Sequence, residues 1–152
     1  MFGVIVFAGI SFIAAVVMTT LYIMTRKFEH RDETRPGRVF VIWLLVALIG
    51  PYVFTETLTR TVGKSMKDVV TNGFDAVDFQ GPLLYYKVVF YTGSKAKVVA
   101  IGEEKQSWGG LDHPVVSMNL IRDPAAGWKV DSYRVVMSDR LNKDGLIYPP
   151  YW

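Results

Sequence analysis

From Phe2 to Met24 the chain runs for 23 residues without a charged side chain. As a helix this run is roughly 35 Å long, enough to cross a hydrocarbon core of about 30 Å with some tilt. A polar stretch from Arg26 to Arg38 follows, and then a second apolar run, Val39 to Phe54. Its 16 residues reach only roughly 24 Å, so a crossing borrows residues from Thr55 to Leu58 or meets a thinned region. The pattern predicts two transmembrane helices, over about 2–24 and 39–56. Pro51 lacks the N–H that would bond to Ala47 and is expected to kink or end the second helix, with Trp43 and Tyr52 at headgroup depth.

Beyond Thr61 the pattern becomes that of a globular domain. Thr61 to Phe74 reads as a short amphipathic helix, with Val62, Met66, Val69 and Val70 on one face and Asn72-Gly73 available to end it. Gly81-Pro82 then breaks the chain. The strand-forming segments are Leu84 to Tyr91, Lys95 to Ile101, Val115 to Arg122 and Trp128 to Met137. Thr92-Gly93-Ser94 and Asp123 to Gly127 are turns between them, and a longer loop runs from Gln106 to Pro114. Lys95 and Lys97 are expected to face solvent, and Val116, Met118 and Leu120 to face inward. In the last strand the inward phase changes from Trp128 and Val130 to Tyr133, Val135 and Met137, as a bulge near Ser132 would produce. The fold class expected is therefore a membrane protein. A two-helix transmembrane hairpin (residues 1–60) is followed by a small α+β domain (61–152) of one helix and a four-stranded antiparallel sheet, one face of it covered by the helix. The late hairpin, with Asp123, Gly127, Trp128, Val130 and Tyr133, resembles the closing strands of cystatin-like and NTF2-like membrane-anchored domains, a group that includes assembly factors of respiratory oxidases.

Composition supports this division. Of 152 residues 51% are hydrophobic and 20% charged, with a mean hydropathy of +0.24. Residues 61–152 hold 11 Lys/Arg against 10 Asp/Glu, a net +1, without the basic field that nucleic acid requires. The loop 26–38 carries five Lys/Arg, against three shortly after the second span (Arg60, Lys64, Lys67). That bias makes the loop cytoplasmic and the C-terminal domain periplasmic, in a multi-pass protein of the bacterial inner membrane or its topological equivalent. A cleaved signal peptide is the weaker reading of Phe2 to Met24, which has no basic leader, too long an apolar core and no small-x-small site. Neither apolar run, Phe2 to Met24 or Val39 to Phe54, holds a charged residue, which argues against transport. A domain of about 90 residues is marginal alone, so support from the spans or a partner is expected.

The search for chemistry yields little. Without cysteine there is no disulfide, thiolate metal site or cysteine nucleophile. His30 and His113 fall on opposite sides of the membrane. Asp68, Asp75 and Asp78 fit no calcium loop and read as capping or surface residues. Gly102 to Lys105 reads as a charged strand end. No phosphate loop, dinucleotide fingerprint, nucleophile elbow or zincin motif occurs. No catalytic residue, metal or cofactor is expected. The candidate sites are partner surfaces: the small-residue stripe Ala8, Ser11 and Ala15, continued by Thr19, which suits close helix packing; Trp108 in the Gly-rich loop; and the tail Tyr148, Pro149, Pro150, Tyr151 and Trp152. The plain reading of the stripe is packing on the second span of the same chain. The tail either covers its own sheet, dips into the interface or docks on another subunit, the last being preferred because aromatics on a stiff backbone suit an interface. The expected function is a non-catalytic accessory subunit of a larger integral-membrane complex, respiratory or photosynthetic. Its partners are other membrane subunits and the lipid bilayer, not nucleic acid. The alternative is a membrane-anchored assembly factor or periplasmic binding module.

Overall fold

The computed structural model describes residues 2–25, 35–77, 79, 81–106 and 109–150. Their contacts divide into two units, one drawn from Met1–Val53 with Ile147–Trp152 and the other Phe54–Leu146. The boundary thus falls at Phe54 rather than at Thr61, and the start of the tail belongs with the helices.

Helix α1 (Phe2–Thr25) and helix α2 (Pro36–Val62) are both long and apolar enough to cross a membrane. In α1 the hydroxyls that interrupt the apolar surface turn back onto the helix. Thr19, Thr20 and Thr25 donate to the carbonyls of Ala15, Val16 and Leu21 at 2.7, 2.9 and 3.0 Å, which removes the cost of a bare donor in apolar surroundings. Phe7, Ser11 and Ala15, four residues apart, form the buried stripe. On the α2 side Phe40 meets Phe12 edge-on at 5.4 Å, and Tyr52 meets Phe7 at 5.7 Å.

Of the kink or end expected at Pro51, the end does not occur, since α2 continues to Val62. Proline withdraws the N–H that would serve the Ala47 carbonyl, and Ser11 of α1 supplies a hydroxyl to that oxygen at 3.5 Å. Nor does a new helix begin at Thr61. Thr55 to Val62 contains neither glycine nor proline and stays helical, and the change comes at Gly63, where a 3-10 turn (Gly63–Met66) leads into helix α3 (Lys67–Asp75).

The second unit is built on an antiparallel sheet. Strands β1 (Leu83–Tyr91), β2 (Lys95–Gly102), β5 (Val115–Asp123), β6 (Gly127–Ser138) and β7 (Lys143–Asp144) lie in that spatial order, and a two-stranded ribbon, β3 (Glu104–Lys105) with β4 (Leu111–Asp112), is inserted between β2 and β5. The sheet therefore has five strands rather than the four expected. The missed elements are two residues long, too short for an alternating pattern to show. Met66, Val70 and Phe74 pack onto Val88, Ala96, Val98, Ala100, Val116, Met118 and Leu120. Gly73 does not end the helix. Its missing side chain lets α3 settle onto the sheet, because a β-carbon there would stand 2.8 Å from Val130 Cγ2. On the other face Lys95 and Lys97 are exposed, while Val99, Ile101 and Val115 are buried as well.

The bulge anticipated near Ser132 is present. The register passes from Asn119↔Ser132 to Leu120↔Val130, leaving Asp131 as the extra residue. A second shift skips Val136. Tyr133, expected to face inward, keeps 51% of its surface exposed, whereas Val135 and Val136 are both buried.

The outer edge of β1 is closed by the last turns of α2. The Val88 N–H donates to Thr59 Oγ1 at 2.9 Å, Lys87 pairs with Glu56, and the Tyr86 hydroxyl donates to the Gly63 carbonyl at 3.0 Å. An edge strand otherwise offers unpaired groups to any passing chain. Replacing Thr59 by valine strands the buried Val88 N–H and is expected to cost about 1–3 kcal/mol. The check is denaturation of the full chain in mild detergent, with Thr59→Ser staying near wild type.

Candidate functional site

Within the second unit one cleft, about 490 Å³ in volume, opens between the helical segment and one end of the sheet. The helical wall presents Thr61, Val62, Ser65, Asp68 and Val69. Thr61 and Ser65 spend their hydroxyl protons on their own helix, donating to the carbonyls of Thr57 and Val62. What they offer the cleft is lone pairs, and Asp68 adds a carboxylate. With these bonds in place no side chain on this wall donates into the cleft.

The opposite wall comes from strand ends. Tyr91 closes β1, Arg122 lies near the end of β5, and Ala126, Gly127 and Trp128 open β6. Arg122 and Trp128 are register partners. The backbone N–H of Arg122 is fixed to the Ser94 carbonyl at 2.8 Å, and its side chain is exposed. The Tyr91 and Trp128 rings meet at 6.1 Å, tilted by 51°, and both are half-buried. Gly127 has φ of +78°, in the region that favours glycine. The turn before it is held by Asp123, whose Oδ1 accepts from the N–H groups of Ala125 at 2.9 Å and Ala126 at 3.4 Å. Those two bonds, with the nearby Lys129 ammonium, keep the Asp123 carboxyl below its ordinary range. Behind the helical wall, burial pushes the Tyr86 phenol up, and the Asp68 charge adds to the shift.

A polar cluster at the other end of the sheet has a structural character. Glu104, read as part of a charged strand end, is only 3% exposed. Its carboxylate lies 3.4 Å from Arg140, whose guanidinium sits 5.5 Å from the centre of the Phe79 ring. Buried Asp112, the register partner of Glu104, accepts the Asp139 N–H at 2.9 Å. These bonds tie the segment between β6 and β7 to the ribbon. Among the described residues no group of three His, Cys, Asp or Glu side chains is gathered to hold a metal.

The partner-surface candidates distribute unevenly. Ser11 and Ala15 are buried in the first unit, but Ala8 lies on the exposed side of α1, since one residue turns the helix by about 100° from Phe7. Pro149 and Pro150 are buried; the Pro150 carbonyl accepts the Tyr52 hydroxyl at 2.8 Å, and the exposed Tyr148 ring lies 5.2 Å from Phe7. The described part of the tail thus packs on the helices of its own chain. Trp108, Tyr151 and Trp152 lie outside the described residues, as do His30 and Asp78. His113 is exposed, as are Asp68 and Asp75.

The cleft itself was not foreseen. Its sequence signals were Arg122, an exposed cation ending an apolar strand, and Trp128, read with Val130 as facing inward. No protein-family model, no curated protein and no solved structure matches this chain.

Proposed function

We propose that the protein is a membrane-anchored, non-catalytic accessory subunit of a larger integral-membrane complex. The observation that carries this reading is the apolar surface left over by the helix pair. Phe7, Ser11 and Ala15 are buried, while Ile5, Ile13, Val17, Ile42, Leu45 and Val53 remain exposed around both helices. Continuous apolar surface of this extent needs lipid or neighbouring helices to cover it. The charge bias of the connecting loop supports a bacterial inner-membrane protein with its α+β domain in the periplasm. The respiratory or photosynthetic setting is proposed from the two apolar runs without charged residues, the small outer domain and the aromatic tail.

Gentle detergent extraction followed by native sizing and mass spectrometry tests the subunit reading. The expected result is stoichiometric co-migration with a large complex, and a monodisperse monomer would refute it. A reporter fused after Trp152 is expected to be active only outside the cytoplasm. A second reading, a membrane-anchored binding module, is favoured by the cleft between α3 and the sheet, and a monomer that retains a small ligand would support it instead.

A further inference from the structure

We propose that the cleft lined by the helical segment Thr61–Val69 and the strand ends at Tyr91, Arg122 and Trp128 holds the headgroup of phosphatidylethanolamine. The inference rests on the reading of α2 as a membrane-spanning helix and goes beyond the subunit assignment.

The two walls are chemically opposite. Thr61 and Ser65 have committed their protons to helix carbonyls, so together with Asp68 they form a wall of acceptors. Such a wall recognises a group rich in donors, and a primary ammonium supplies three N–H bonds and a positive charge. Across the cleft Arg122 presents five donors and a permanent charge, suited to phosphate. Trp128 and Tyr91 add aromatic surface to the same wall as Arg122, where the apolar part of a ligand can rest. A ligand that satisfies both walls is a zwitterion with a primary ammonium at one end and a phosphate at the other.

Competing ligands fit less well. A sugar hydroxyl both donates and accepts, and an acceptor-only wall wastes half of that capacity. Phosphatidylcholine has the right charges, but its quaternary nitrogen has no N–H to give. An anionic headgroup such as phosphatidylglycerol meets Arg122 and is repelled by Asp68.

The position of the cleft selects a lipid over a soluble zwitterion. The helical path is unbroken through Val62, so Thr61 lies about five residues beyond the apolar stretch that ends near Glu56, or ~8 Å along the helix. The headgroup layer on each side of the hydrocarbon is itself ~5–8 Å deep. The volume of about 490 Å³ lies within the range that takes a drug-sized molecule, leaving room for the glycerol as well as for the ammonium and phosphate.

The test uses the purified full chain, reconstituted in bilayers of phosphatidylethanolamine and phosphatidylcholine in equal parts, released gently and examined by native mass spectrometry for retained lipid. Phosphatidylethanolamine is expected to be retained over phosphatidylcholine by roughly tenfold. Asp68→Asn is expected to bring that ratio close to one, and Arg122→Gln to lower retention of both lipids by about fivefold or more. Both side chains are exposed, so neither change should disturb the fold. Equal retention of the two lipids by a chain that resists alkaline carbonate extraction overturns the headgroup inference and leaves the membrane reading standing. A chain that carbonate strips from the bilayer overturns both. A preference that survives Asp68→Asn overturns this site as its source, and displacement of the lipid by equimolar free phosphoethanolamine overturns the lipid as occupant.

Discussion

Phe74→Ala is expected to remove about 3–5 kcal/mol from the stability of the α+β unit. For a unit of roughly 90 residues, whose whole stability is on the order of 5–14 kcal/mol, that is a large share. Phe74 is 1% exposed, stacks on Phe79 with ring centres 5.6 Å apart, and lies directly over Gly102 of β2. A β-carbon at Gly102 would stand 2.2 Å from Phe74 Cζ, so the ring occupies the space that a side chain on β2 would need. The expected readout is a fall of roughly 15 °C or more in the thermal midpoint of the full chain in detergent. Gly102→Ala tests the contact itself. Alone it forces a methyl group into the ring, whereas beside Phe74→Ala the same methyl enters a void. A coupling of about 1 kcal/mol or more is expected between the two changes. If Gly102→Ala is equally harmful in both backgrounds, the direct contact is not what makes glycine necessary.

Gly81→Ala is expected to cost about 3 kcal/mol or more, at the upper end of what overpacking does. The β-carbon would lie 1.6 Å from the Glu103 carbonyl oxygen and 2.7 Å from its carbon. Neither is the end of a flexible side chain, and the same two backbones are joined by a bond from the Glu103 N–H to the Pro82 carbonyl at 3.1 Å. Relief requires β1 and the chain leaving β2 to part. Gly93→Ala is the comparison: a left-handed φ of +70° but open space around the position, for which the conformational cost alone is about 1–2 kcal/mol. A Gly81→Ala loss no larger than that of Gly93→Ala would show that the close approach is not limiting.

Gly81, Gly93 and Gly102 mark where sequence reasoning stopped. Gly81-Pro82 was legible as a chain break and Gly93 as a turn, because both reasons are local. The close approach of Gly81 to Glu103, and of Gly102 to Phe74, joins residues far apart in sequence. The strands with strong patterns, from Leu83 to Tyr91, Lys95 to Gly102 and Val115 to Asp123, were found within one or two residues, and the bulge beside Ser132 followed from a phase change in side-chain type. Of the kink or end expected at Pro51 the end did not follow, and the carbonyl that proline leaves unserved accepts from Ser11 on a different helix. The burial of Glu104 was not legible either, because the segment read only as a charged strand end and Arg140, its partner, lies far along the chain. The cleft was out of view altogether. Its parts are spread from Thr61 to Trp128, and the acceptor-only character of its helical wall depends on where two hydroxyl protons point.

The cap that Thr59 places on Val88 also bears on self-association. A sheet can grow at either margin, and this one guards its two margins by different means. On the β1 side a helix occupies the hydrogen-bonding direction, so a stray strand finds the Val88 donor already engaged. On the β6 side β7 pairs only with Met137 and Ser138, and among the described residues the stretch Gly127–Val136 has no outer strand. That stretch carries Lys129, Asp131 and Arg134 along with the extra residue at Asp131, and charge and irregular register both discourage strand addition. Loss of the helix cap would therefore leave the β1 margin guarded only by its register shifts at Leu84 and Val89 and would offer the Val88 donor to a stray strand, turning a single lost hydrogen bond into a route to polymer growth.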